Sequence, residues 1–154
     1  MKRDAAAVIA ALGLEPLPHE GGFFRQTWRT EAGSAILYLM TPVGFSALHR
    51  LRTDEVWHFH AGDAIEHVHL DPRDGCLRRT VLGPNVARGD APQLVVPGGV
   101  WQGARLGAVR VHGWALLGAT LAPPWNERDF ELGARAKLQL TFPSHTDWIA
   151  ALTR

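Results

Sequence analysis

Residues 46–70 read SALHRLRTDEVWHFHAGDAIEHVHL, and the rhythm of this stretch decides the fold. Side chains of different character alternate over 56–60 and again over 64–70, the two-residue period of a strand whose faces differ. In the first run Glu55, Trp57 and Phe59 point one way, and Val56, His58 and His60 the other. Working outward, similar short β-rich runs occur at 23–29, 35–40, 45–49, 77–82, 94–96, 100–106 and 109–121. Gly, Pro, Asp and Asn clusters at 41–44, 71–75, 83–85 and 97–99 separate them. Many short strands between turns predict an all-β sandwich or barrel. No segment between them is long enough for a helical crossover, which disfavours a parallel βαβ sheet with a nucleotide crevice.

Helices are expected only at the ends. Asp4 can cap a short helix in which Val8, Ile9 and Leu12 share a face, and Gly13 supplies a left-handed stop. Ser144 and Asp147 have the spacing of a capping box, followed by an apolar stripe of Trp148, Ile149 and Leu152. Between these ends, 126–130 reads as a turn, and 132–140 is open between helix and strand. There is no repeat, low-complexity tract or linker, so residues 1–154 are read as one domain.

Composition excludes several function classes. The chain has 154 residues, 46% apolar and 20% charged, too apolar for a disordered segment. Its 16 Lys and Arg nearly balance 15 Asp and Glu, so it lacks the basic excess that neutralises nucleic-acid phosphates. A single cysteine, Cys76, cannot form an intrachain disulfide and suits a cytoplasmic home. The start, with Lys2 and Arg3 before an alanine-rich run, lacks a convincing cleavage site and is read as having no signal peptide. The longest uncharged stretch, 32–49, is broken by Gly33, Pro42 and Gly44, and reads as soluble strands rather than a membrane span. Trp28, Trp114, Trp125 and Trp148 are expected as ordinary core or interface residues.

Five of the eight histidines fall between His49 and His69. The His67-Val68-His69 spacing puts two imidazoles on one side of a strand, where they can chelate a transition metal or simply pack and hydrogen-bond. Neither GxGxxG nor GxxxxGK[ST] is present to cradle phosphates, and Ser46 has no nucleophile-elbow context.

A resemblance enters through His49, Glu55 and Gly62, followed by Pro97, Gly99 and Gln102. This order resembles the two linked motifs of the cupin superfamily, whose first motif carries a His-x-His pair, a Glu and a Gly, and whose second reads Pro-x-Gly-x-x-His. The stretches 18–25, 46–51, 54–59, 96–102 and 143–145 are similar to one group of small single-domain cupins, mostly of unknown function, over about 14–153. The resemblance implies a cupin-like double-stranded β-helix, a jelly-roll barrel with short N- and C-terminal helices, and a homodimer.

The departures bear on chemistry. Leu51 stands where the family's second histidine belongs and Gln102 where the third belongs, so two of three imidazole ligands are lost. No resident cofactor is expected. A divalent metal, if held, would rest on His49, Glu55 and Gln102, with nickel or iron recruited through His60 or His67 as the variant of that reading. Without a metal, His49 as base and Glu55 as its orienter form an acid/base pair suited to moving a proton next to a carbonyl. Gln102, Trp57, Phe59, Trp101, Arg50 and Arg25 are the expected ligand-binding residues. The leading expectation is a small polar metabolite, such as a carbohydrate derivative, bound inside the barrel for metal-free epimerisation or isomerisation. A metal-dependent oxygenase or isomerase with a reduced ligand set, and a non-catalytic binding protein, are the alternatives.

Overall fold

The computed structural model describes residues 4–154, so Lys2 and Arg3 lie outside the described residues. Two antiparallel sheets face each other. The first runs in the order β1 (Glu15–Pro16), β2 (Phe23–Arg29), β3 (Ser34–Met40), β10 (Ala115–Leu121), β5 (Glu55–Gly62) and β8 (Gln93–Val96). The second runs β11 (Glu131–Leu132), β4 (Ser46–Arg50), β9 (Trp101–Leu106), β6 (Ile65–Leu70) and β7 (Leu77–Leu82). From β3 onward most connections cross between the sheets, giving the expected all-β jelly roll with short terminal helices. Among the described residues the two sheets share no ladder, and an isolated bridge joins Leu82 of β7 to Ala91 just before β8, so the barrel is a pair of facing sheets rather than one closed ladder.

Alternation sorts each strand's side chains into layers. Tyr38, Met40, Trp57 and Leu117 of the first sheet meet Ile65, Ala104 and Leu106 of the second in the central layer. Leu48, Val68, Leu70 and Trp101 face the other way and bury under α2 (Arg135–Thr141) and α3 (Thr146–Ala151), which contribute Leu138 and Ile149. On the far side, Leu39 packs against Val8, Ile9 and Leu12 of α1 (Ala5–Leu12). Each such fully buried aliphatic side chain stabilises the fold by roughly 1.5–3 kcal/mol. Asp4 caps α1 through the amide of Ala6, and Gly13 ends it at φ 61°.

Two local expectations are corrected and one open reading is resolved. The run expected at 109–121 becomes a strand only at Ala115, because the buried Asp63 carboxylate accepts the backbone N–H groups of Val111, His112 and Gly113 at 2.7–3.1 Å and holds them in a loop. Burial pushes the Asp63 carboxyl up, but these backbone donors outweigh it and leave it below the ordinary range. The open segment 132–140 divides: Glu131 and Leu132 pair with β4, and α2 follows. The capping box is not formed, since Ser144 sits in a 3₁₀ turn and α3 starts without a side-chain cap. Trp28 and Trp125 lie at the surface. No helix among the described residues is long and apolar enough to cross a membrane.

Candidate functional site

Glu55, Leu121 and Ser34 sit side by side at one end of the first sheet, where a cavity of about 800 Å³ enters between the sheets. The alternation of β5 turns Glu55 and Trp57 inward together, and both are almost fully buried. Across the gap, β9 brings Gln102 opposite His49 of β4 on one side and His69 of β6 on the other. Strands distant in sequence thus assemble one polar floor.

The floor is tightly bonded. Gln102 donates from Nε2 to Glu55 Oε2 at 2.7 Å. The Trp57 indole N–H lies between two acceptors, Gln102 Oε1 at 2.9 Å and Glu55 Oε2 at 3.2 Å. Among the described residues the hydrogen bonds to the Glu55 carboxyl fall on Oε2, and Oε1 accepts none. Burial pushes this carboxyl above the ordinary range, against the opposing pull of His49 and its two donors, so Glu55 keeps its proton to higher pH than an exposed glutamate.

His49 has a determined tautomer. Its Nδ1 lies 2.7 Å from the carbonyl oxygen of Ala47. A carbonyl only accepts, so Nδ1 carries the hydrogen, and in the neutral ring the lone pair is on Nε2. The ring stacks on Phe130 with centroids 5.5 Å apart. Nε2 is 3.7 Å from Glu20 Oε1, too far for a hydrogen bond and close enough to feel the charge. The orienting partner of His49 is therefore the Ala47 carbonyl, in place of the Glu55 carboxylate expected from the sequence.

Glu20 is the residue that sequence reasoning missed. Its Oε1 accepts from Ser46 Oγ at 2.9 Å, and its backbone carbonyl accepts from the amide of Ala47. The loop that carries it is held by Arg154, whose guanidinium donates to the carbonyls of His19, Glu20 and Phe45, and by the Tyr38 hydroxyl, which donates to Gly21. The glycine pair following Glu20 was the available signal. Gly21 and Gly22 have φ of 101° and 76°, a turn that presents the glutamate side chain to the cavity.

The other expected residues separate by strand parity. His49, Glu55 and Trp57 line the cavity, Arg25 stands at its edge, and Gln102 lies directly behind Glu55. Phe59 packs farther along β5 against the central layer and does not line the cavity. Arg50 and Trp101 are adjacent to inward-facing residues and so point outward: the Arg50 guanidinium lies over the Trp101 ring and pairs with Glu131 at 2.7 Å. His60 faces away from the central layer, its ring stacked with that of His58.

These residues do not fit a divalent metal. Leu51 lines the cavity where an imidazole would be required, and the amide of Gln102 is engaged with Glu55 and Trp57. Among the described residues no three His, Cys, Asp or Glu side chains are grouped to hold an ion. His67 and His69 approach edge to face with centroids 5.1 Å apart and do not complete a ligand set.

His67 carries a measurable consequence. It is fully buried against Trp57, and neither ring nitrogen has a hydrogen-bond partner among the described residues. Burial, reinforced by His69, holds its imidazole well below the ordinary range. A base depressed in the folded state supports stability above its unfolded pKa of about 6.5 and loses that support as pH falls. His67→Leu, of similar volume, should stabilise the protein by about 1–3 kcal/mol through removal of an unsatisfied buried group. It should also flatten the loss of stability below about pH 6.5. Urea midpoints measured between pH 5 and 8 test both effects.

A search of curated proteins finds no match. Two solved structures are similar over nearly the whole chain. A structural-genomics protein from Shewanella oneidensis is 32% identical, covers 99% of this chain and 98% of its own, and superposes with a TM-score of 0.91. A hypothetical protein from Leishmania major is 32% identical over 98% of this chain and 99% of its own, at a TM-score of 0.90. A dTDP sugar isomerase from Desulfovibrio desulfuricans shares the fold at 21% identity, 79% and 80% coverage and a TM-score of 0.57. The family model described as Cupin superfamily (DUF985) matches residues 6–133. With its paired sheets, its motif residues His49, Glu55 and Gln102 meeting at the cavity floor, and this match, the chain belongs to the DUF985 family of the cupin superfamily.

Proposed function

We propose that the cavity binds a small polar metabolite bearing a carbonyl, a carbohydrate derivative, and that His49 and Glu55 isomerise or epimerise it without a metal. The observation that carries this reading is the bond from His49 Nδ1 to the Ala47 carbonyl, which leaves Nε2 of the neutral ring as a base nitrogen in a cavity whose floor also holds the buried carboxyl of Glu55.

The proposed chemistry balances internally. His49 Nε2 takes the proton from the carbon next to the carbonyl, and the C–H electron pair moves into the enolate. Glu55 donates to the oxygen where negative charge develops. For the isomer, His49 returns its proton to the former carbonyl carbon while the Glu55 carboxylate accepts the proton of the second enediol hydroxyl. For the epimer, solvent protonates the opposite face of the same carbon, the enol proton returns to Glu55 and His49 releases its proton to solvent. The Glu20 carboxylate, 3.7 Å from Nε2, stabilises the imidazolium while it holds the proton. Gln102 and Trp57 fix the acid, while Tyr38, Leu51 and Phe130 exclude water from the wall. The structural neighbour named as a dTDP sugar isomerase shares the fold, and the reading rests on this chain's own residues.

The test is to extract the small molecule carried by the native protein, identify it by mass spectrometry, and return it to fresh protein under NMR observation. A product of equal mass should appear. Its rate should fall as pH rises through the raised pKa of Glu55, because the acid acts in its protonated form. Glu55→Gln should bind comparably and convert about 100-fold more slowly. Recovery of the molecule unchanged from wild-type protein would establish a binding protein instead.

A further inference from the structure

The charges around the cavity narrow the class of its occupant. Two glutamates, Glu20 and Glu55, stand at the floor, and Glu15 and Glu127 at its exposed edge. Among the described residues none of the four is paired with a Lys or Arg, and the Glu20 carboxylate has the His49 ring 3.7 Å away. One guanidinium lines the same space, that of Arg25. The Glu20 side chain is 17% exposed, and a carboxylate largely withdrawn from water is costly to hold unless a positive charge compensates. Here the wall around it is aromatic: Phe24, Tyr38, Trp57 and Phe130 surround the space. Acid together with aromatic faces favours an organic cation, since the ring faces attract positive charge and carboxylate oxygens accept from an ammonium group. The same surface opposes a phosphate or a carboxylate, which would approach the carboxylates of Glu20, Glu15 and Glu127 with one arginine to offset them.

We infer that the ligand is a small organic amine, protonated when bound, and that the Glu20 carboxylate receives its ammonium group. Glu20 Oε1 is engaged by Ser46 and Oε2 has no hydrogen-bond partner among the described residues, so one oxygen is available to the ligand. Glu55 Oε1 and His49 Nε2, also unengaged, face the remaining polar atoms of the ligand. This inference rests on the cavity being the binding site, and it deepens the proposed function by adding a charged group to the metabolite: an amino sugar rather than a phosphorylated sugar.

Three probes of equal ring size and different charge test it on the full chain: cyclohexylamine, cyclohexanol and cyclohexanecarboxylate. Binding is read at neutral pH from the NMR shift of the Trp57 indole N–H, which donates into the cavity floor. The amine should bind at least about tenfold more tightly than the alcohol, with the carboxylate weakest, and added salt should narrow the difference. Glu20→Gln should bring the amine to the affinity of the alcohol. Equal binding of amine and alcohol, or tighter binding of the carboxylate, would overturn the charge assignment while leaving the cavity as a binding site. No shift with any probe would overturn both. A preference for the amine that persists in folded Glu20→Gln would overturn the role of Glu20, and the wild-type ranking remains decisive if that variant does not fold.

Discussion

His49→Ala is expected to slow conversion of the bound metabolite by about a thousandfold, the middle of the range for a positioned general base. The effect follows from the tautomer: with Nδ1 committed to Ala47, Nε2 is the lone pair this imidazole presents, and neither Glu20 nor Gln102 can replace it. The fold should survive. The ring borders existing empty space and touches the Ala47 carbonyl, the face of Phe130 and the Glu20 carboxylate, so the loss of stability should be about 1–2 kcal/mol. NMR progress curves paired with thermal melts separate the two effects. An active His49→Ala protein would remove the base assignment, whereas an inactive and unfolded one would be countered with His49→Gln, which keeps the side-chain volume.

Gly22→Val should have the largest effect on stability, about 4 kcal/mol, from strained backbone and a buried clash together. Gly22 has φ of 76°, a conformation that β-branched residues strongly avoid. A Cβ there would lie 2.5–2.7 Å from the ring and hydroxyl of Tyr38, which is buried and bonded to Gly21. The ring cannot retreat without breaking into the central layer against Trp57. The same displacement moves Glu20, so ligand binding should be lost along with stability. Gly44→Val is the control: a Cβ at Gly44 meets nothing within 4 Å, and its cost should stay within about 0.5 kcal/mol. Urea denaturation of both variants provides the comparison.

What could be read from the sequence follows the reach of local periodicity. The two-residue period gave the strands, and in β5 it turned Glu55 and Trp57 to the same side. Applied to His49-Arg50 and Trp101-Gln102, the same rule puts Arg50 and Trp101 on the outer face, where the structure has them. Their expected place in the pocket came from residue type rather than parity. Glu20 was out of reach for a different reason. It lies in an irregular loop with no period, and its position depends on Ser46 and on Arg154, far along the chain. The loop at Val109 and Val111 reads as strand by composition, and only the Asp63 carboxylate, about fifty positions earlier, makes it otherwise. Segment 132–140 was ambiguous because it contains the end of a two-residue strand followed by a helix.

The most direct measurement of the proposed chemistry is isotope exchange. The extracted metabolite is incubated with the protein in D₂O, and its mass and NMR spectrum are followed with time. Proton transfer through His49 predicts uptake of one deuteron at the carbon beside the carbonyl, absent in His49→Ala. A metabolite that stays bound in the cavity while that carbon keeps its hydrogen, or that is converted without any uptake of deuterium, would contradict it.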